Sequence, residues 1–97
     1  MKNVIWSEDA DRDYDDNIEW LLSEWGHKEA IAFTNCVESL LPKISKYPEM
    51  YPESCYKGIR TTVVVKQVSL LYRIEKGNIE LVRFWNNYQN PENMPTR

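Results

Sequence analysis

"VSLLYRIEKGNIELVRFW", residues 68–85, decides the fold. Two runs rich in β-branched, aliphatic and aromatic residues flank Lys76-Gly77, a pair suited to a tight hairpin turn because glycine takes positive φ without steric cost. A two-residue turn sets Glu75 opposite Asn78, and the pairing counts outward from there. Val68, Leu70, Tyr72, Ile74, Ile79, Leu81 and Trp85 then share one face, with Arg83 as its single charge. The opposite face carries Ser69, Leu71, Arg73, Glu75, Glu80, Val82, Phe84 and Asn86, with Arg73 and Glu80 as a cross-strand ion pair. A three-residue loop flips the parity of the last strand and brings Arg83 onto the face of Arg73.

"IRTTVVVK", residues 59–66, adds a strand upstream, so the C-terminal half reads as a meander over about 58–86. Beyond it, Asn86, Asn87, Gln89 and Asn90 leave the sheet as a polar tail, residues 87–97, while Trp85 anchors the last strand in the core. "YPEMYPESCYKG", residues 47–58, holds two prolines and a glycine and reads as a loop.

Before that loop the period changes from two to between three and four. Ala10, Tyr14, Ile18, Leu21, Leu22 and Trp25 form one apolar stripe, with Ser7 as N-cap and Gly26 as a stop. Ala30, Phe33, Val37, Leu40, Leu41 and Ile44 form a second, and Pro42 should bend this helix or end its regular part near Leu41. Joined so tightly, the two make an antiparallel hairpin over about 8–46. "NVIWS", residues 3–7, is a short strand ahead of them. His27 sits at the junction in a capping or solvent-exposed place.

Ninety-seven residues with 42% apolar and 12% aromatic content suffice for one modest core, so a single α+β domain is expected. No run reaches the roughly 18 to 20 apolar residues of a membrane-spanning helix, and the acidic start is unlike a secretory signal. A cytoplasmic location is expected. Cys36 and Cys55 lack metal or redox spacing and read as reduced thiols. A net charge of −3 and a pI near 5.1 argue against coating nucleic acid by bulk electrostatics. Residues 8–16, "EDADRDYDD", hold six of the 15 acidic groups and read as a solvated face, with no glycine-shaped loop for calcium. No cofactor or metal is expected.

Two helices cover one side of such a sheet. Leu71, Val82 and Phe84 are then left on a surface that a monomer avoids exposing, and a segment of another chain is expected across it.

The order of strand, two helices and meander resembles the RelE/ParE superfamily of bacterial type II toxins. "VIWSEDADRD", "GIRTTVVVKQVSLLYRIEKGNIELVRFW" and "NNYQNP" carry the likeness across nearly the whole chain. The resemblance implies a toxin held inactive by a cognate antitoxin that covers the functional surface. RelE-like members cleave mRNA on the ribosome without a metal; ParE-like members poison DNA gyrase. RNase members often carry arginine in a pattern like Arg-Leu-Val-Tyr, whereas the matching stretch here is Ser69-Leu70-Leu71-Tyr72, and only Lys57 and Arg60 precede it on the second strand. Cleavage by 2′-oxygen attack needs a base, an acid and a group to hold the charged phosphate oxygens. The candidates are Arg60, Arg73, Arg83 and Tyr88. Contacts to antitoxin or target are expected from Leu71, Arg73, Val82, Phe84, Asn86 and Tyr88. The expected function is ParE-like growth inhibition, with a ribosome-dependent mRNA endonuclease and a non-toxic interaction module as the alternatives.

Overall fold

The Ser7 hydroxyl accepts the Ala10 amide hydrogen at 2.9 Å, and the acids that follow complement the positive end of a helix dipole. In the computed structural model, which describes residues 2–54 and 58–88, strand β1 (Val4–Trp6) therefore leads straight into helix α1 (Glu8–Glu24). Gly26 has φ 122°, a backbone state that side chains rarely adopt; here α1 stops and helix α2 (His27–Lys46) starts back across it. His27 is exposed.

Pro42 does not end α2. The helix runs on to Lys46 because its last turn is held from outside: Ile44 is fully buried, the Ser45 carbonyl accepts the Lys2 amide at 3.2 Å, and the Ser45 hydroxyl donates to the Lys2 carbonyl. On α1 the buried line is Ala10, Asn17 and Leu21, spaced seven and four residues apart. Leu22 and Trp25, expected in that stripe, are 42% and 37% exposed, since each lies past the edge of the arc that this spacing defines.

Three strands follow: β2 (Ile59–Val65), β3 (Val68–Glu75) and β4 (Asn78–Asn86), in a four-stranded sheet ordered β1-β4-β3-β2. β1 runs parallel to β4, and the other neighbours are antiparallel. The helices and one sheet face enclose a core that includes Phe33, Leu40, Leu70, Tyr72 and Leu81. This is the expected α+β architecture.

Lys76 and Gly77 take φ 51° and 79°, the two positive values of a tight hairpin turn, and Glu75 pairs with Asn78. The register then holds as far as Tyr72 opposite Leu81. Beyond that it slips, with Leu71 opposite Arg83, so Val82 is an extra residue and β4 carries a bulge. The bulge reverses the alternation for the rest of the strand and corrects the expected faces of Arg83, Phe84, Trp85 and Asn86, the last of which pairs with Val68. Arg83 leaves the core face for that of Leu71. Phe84, expected on the open face, pairs with Leu70, is 2% exposed, and packs its ring near Trp6, Tyr14 and Phe33 at 5.4, 5.6 and 5.9 Å. Trp85 is buried, but opposite Ser69 and outside the main core cluster.

Leu71 is also fully buried, not open. It sits on an inner strand between Thr61 and Arg83, and the shifted register puts Trp85 at the diagonal position, within reach of a large aromatic side chain. Asn86 is 9% exposed, and Val82 is partly buried. The face expected to lie bare is thus closed in its middle by the chain itself. The most exposed apolar residue in the sheet is instead Val63, at 63%, on the outer strand β2.

The Tyr72 hydroxyl donates to the Pro48 carbonyl at 2.8 Å, tying the chain just after α2 to the core. Burial raises its pKa above the ordinary 10.0, with Arg60 opposing. A raised folded value keeps stability constant below the unfolded pKa and erodes it as pH climbs through the folded one. Urea unfolding followed from about pH 8 to about 11 should show this decline, and Tyr72→Phe should flatten it while losing about 1 kcal/mol at neutral pH.

Candidate functional site

β1 pairs with β4 only from Ile79 to Leu81, so the second half of β4 has a side without a neighbouring strand. Helix α1 fills that place with side chains. Ser7 donates its amide to the Leu81 carbonyl at 3.1 Å and its hydroxyl to Val82 at 3.0 Å. Asp13 Oδ2 accepts the Phe84 amide at 3.1 Å, and Asn17 Nδ2 donates to the Phe84 carbonyl at 3.0 Å. The helix thus satisfies backbone groups that a strand would otherwise take.

The same Asp13 carboxylate receives Arg83 through two bonds, Nε to Oδ2 at 2.5 Å and Nη2 to Oδ1 at 3.0 Å. Hydrogen bonding to Asp13 raises the Arg83 guanidinium above its ordinary pKa, against the opposing effect of burial. Asp13, expected on a solvated acidic face, is a part-buried structural partner. Together these groups wall a cleft of about 260 Å³ between α1 and β4, whose lining includes Asp16, Trp20, Trp85 and Asn86.

The other candidate arginines, Arg60 and Arg73, are engaged elsewhere. Arg60 donates from Nη1 to the Tyr51 carbonyl at 2.5 Å and lies 3.9 Å from Glu53, fastening the loop ahead of β2. Arg73 reaches Glu80 at 2.6 Å and Glu75 at 3.1 Å on the exposed sheet face, the cross-strand pair that its register predicts. Ser69 is 5% exposed and donates its hydroxyl to Asn87 Oδ1 at 2.9 Å. Tyr88 is 56% exposed, with its ring 5.7 Å from Trp20 and 5.8 Å from Trp25 at the far end of α1. By register Arg73 and Arg83 share a face, but each is held by its own carboxylate, and Arg60 belongs to a different surface. Lys57, Cys55, Gln89 and Asn90 lie outside the described residues.

A second feature is the outer edge of β2. Its first half is covered by the preceding loop, through Ser54 N to Ile59 O at 2.7 Å and Thr61 N to Pro52 O at 3.3 Å. Farther along, Val63 and Val64 border a groove against Cys36, Leu40 and Lys43 of α2. Among the described residues, no group of three or more His, Cys, Asp or Glu side chains is placed to hold a metal, and no helix is long and apolar enough to cross a membrane.

Sequence reasoning missed Asp13 and Asn17. The signal was present: Asn17 falls seven residues after Ala10 and four before Leu21, on the stripe itself, with Asp13 one turn before it.

A short strand, two helices and a meander around a sheet ordered β1-β4-β3-β2 are the architecture of RelE/ParE-type toxins. The family described as "ParE toxin of type II toxin-antitoxin system, parDE" matches residues 4–91, and the chain belongs to it. Among solved structures it is similar to the chromosomal ParDE toxin-antitoxin system from P. aeruginosa, with TM-score 0.71 and 16% identity over 89% of this chain and 96% of that one. It is also similar to the YoeB/ParE toxin from Agrobacterium tumefaciens (TM-score 0.61, 12% identity, 91% and 100% covered). A YoeB-YefM toxin-antitoxin heterotetramer from Staphylococcus aureus gives TM-score 0.59 at 15% identity, with 91% and 99% covered. At such identities the likeness is one of fold. No curated protein sequence matches the chain.

Proposed function

We propose that this chain is the toxin of a two-protein module, that a cognate antitoxin neutralises it, and that it arrests growth by binding a gyrase-type target instead of cutting mRNA. The observation that carries the choice of mechanism is the engagement of the arginines. Arg60 fastens a loop, Arg83 is clasped by Asp13, and Arg73 lies between Glu75 and Glu80. Phosphate cleavage needs cationic donors converging on one point, already aligned for the transition state. Ser69, at the place where RNase relatives carry arginine, is tied to Asn87.

The accessible members of the expected contact set, Arg73, Val82 and Tyr88, remain as residues for target or antitoxin. Leu71 is fully buried, whereas Phe84 and Asn86, though buried, line the α1–β4 cleft. The half of β2 that no other described segment covers gives an extended antitoxin segment backbone groups to pair with, and its apolar groove gives side chains a seat. Solved relatives include toxins held in complex with their antitoxins, such as YoeB-YefM and DinJ-YafQ.

Induced expression should stop growth, leave cellular transcripts intact by primer extension, and switch on the DNA-damage response. Codon-phased mRNA cuts would replace the gyrase reading with the endonuclease one. Normal growth at full expression would leave an interaction module.

A further inference from the structure

The cleft between α1 and β4 has acceptors to spare. Asn17 is 5% exposed, and its Nδ2 is committed to the carbonyls of Asp13 and Phe84 at 2.8 and 3.0 Å. Among the described residues, no donor reaches its Oδ1. Asp16, three residues after Asp13 on the same helix, is exposed and, again among the described residues, makes no ion pair. Trp20 supplies an aromatic wall to the same cleft.

A free carboxylate, an open amide oxygen on a buried side chain and an indole ring are all electron-rich, and together they select a cation with several donors. Two contacts within the chain show how such groups settle here. Arg83 meets Asp13 through paired hydrogen bonds in the cleft wall, and outside the cleft lining the Lys66 ammonium lies 4.7 Å from the centre of the Trp25 ring. A guanidinium satisfies all three features, because its planar fork matches a carboxylate while its face stacks on an indole. The surrounding field has the same sign, since α1 carries eight acids against the single Arg12.

We propose that this cleft seats an arginine side chain from a basic segment of a partner protein. The proposal rests on the toxin-antitoxin reading in taking that partner to be the neutralising chain, and it specifies the partner's chemistry: a basic stretch with an arginine that enters beside Trp20.

The test titrates the intact protein with a short acetylated arginine-rich peptide, following the Trp20 indole N–H by NMR, with Trp20→Phe to assign the signal. The expected result is a saturable shift at Trp20, weakened about tenfold when glutamine replaces arginine in the peptide and about tenfold by Asp16→Asn. Asp16 is exposed and unpaired among the described residues, so the variant should keep its thermal midpoint. Equal binding by wild type and Asp16→Asn would overturn the proposal, as would a shift that spares Trp20. Spermidine binding as tightly as the peptide would overturn the assignment to arginine. The toxin reading fails separately, by absence of growth arrest. If antitoxin rescues arrested cells but Asp16→Asn leaves the complex unweakened, only the cleft assignment falls.

Discussion

Phe84→Ala is expected to destabilise the protein by about 4 kcal/mol, because truncating a fully enclosed phenylalanine loses its transfer energy and leaves a cavity. Phe84 is 2% exposed and packs near three aromatic rings from β1, α1 and α2. Domains of this size have only about 5–15 kcal/mol in total, so the variant should melt roughly 15–30 °C lower. Urea denaturation and thermal circular dichroism measure both quantities. Val82→Ala, at the register slip itself and partly exposed, should cost about 1 kcal/mol. Near-equal losses for the two would place Phe84 on the surface and remove the bulge from β4.

Asp13→Ala should come next in severity, at about 3 kcal/mol. It strips a part-buried guanidinium of both hydrogen bonds and leaves the Phe84 amide without an acceptor. The partial exposure of Arg83, 30% for the side chain, keeps the figure below that for a fully enclosed pair. Asp13→Asn preserves an acceptor for the Phe84 amide and should lose less. In a double-mutant cycle with Arg83→Met, the two losses should fall short of additivity by 1 kcal/mol or more, on the order of measured couplings between contacting residues. Additive losses would mean that the clasp contributes nothing of its own.

Local chemistry made much of the fold legible. Ser7 announced α1, Gly26 ended it, and Lys76-Gly77 set the hairpin register as far as Leu81. What escaped were features set by tertiary contact. Pro42 reads locally as a helix breaker, but Ile44 and Ser45 hold the following turn in place. The bulge left a faint trace, as the inward residues run Ile79, Leu81, Phe84, with a step of three where a strand should step by two. The part of the site on the α1–β4 seam was hidden for the same reason: Asp13 looks like one of many surface acids until the unpaired side of β4 comes to lie against it. Arg73 with Glu80 was readable because cross-strand partners follow directly from register.

The extra residue in β4 also bears on how relatives are aligned. An ungapped overlay on a homologue with an uninterrupted final strand equates interior positions with exterior ones from Val82 onward. Chemistry assigned across that overlay, above all to Arg83, would land on the wrong side of the protein. A single-position gap at Val82 restores the correspondence.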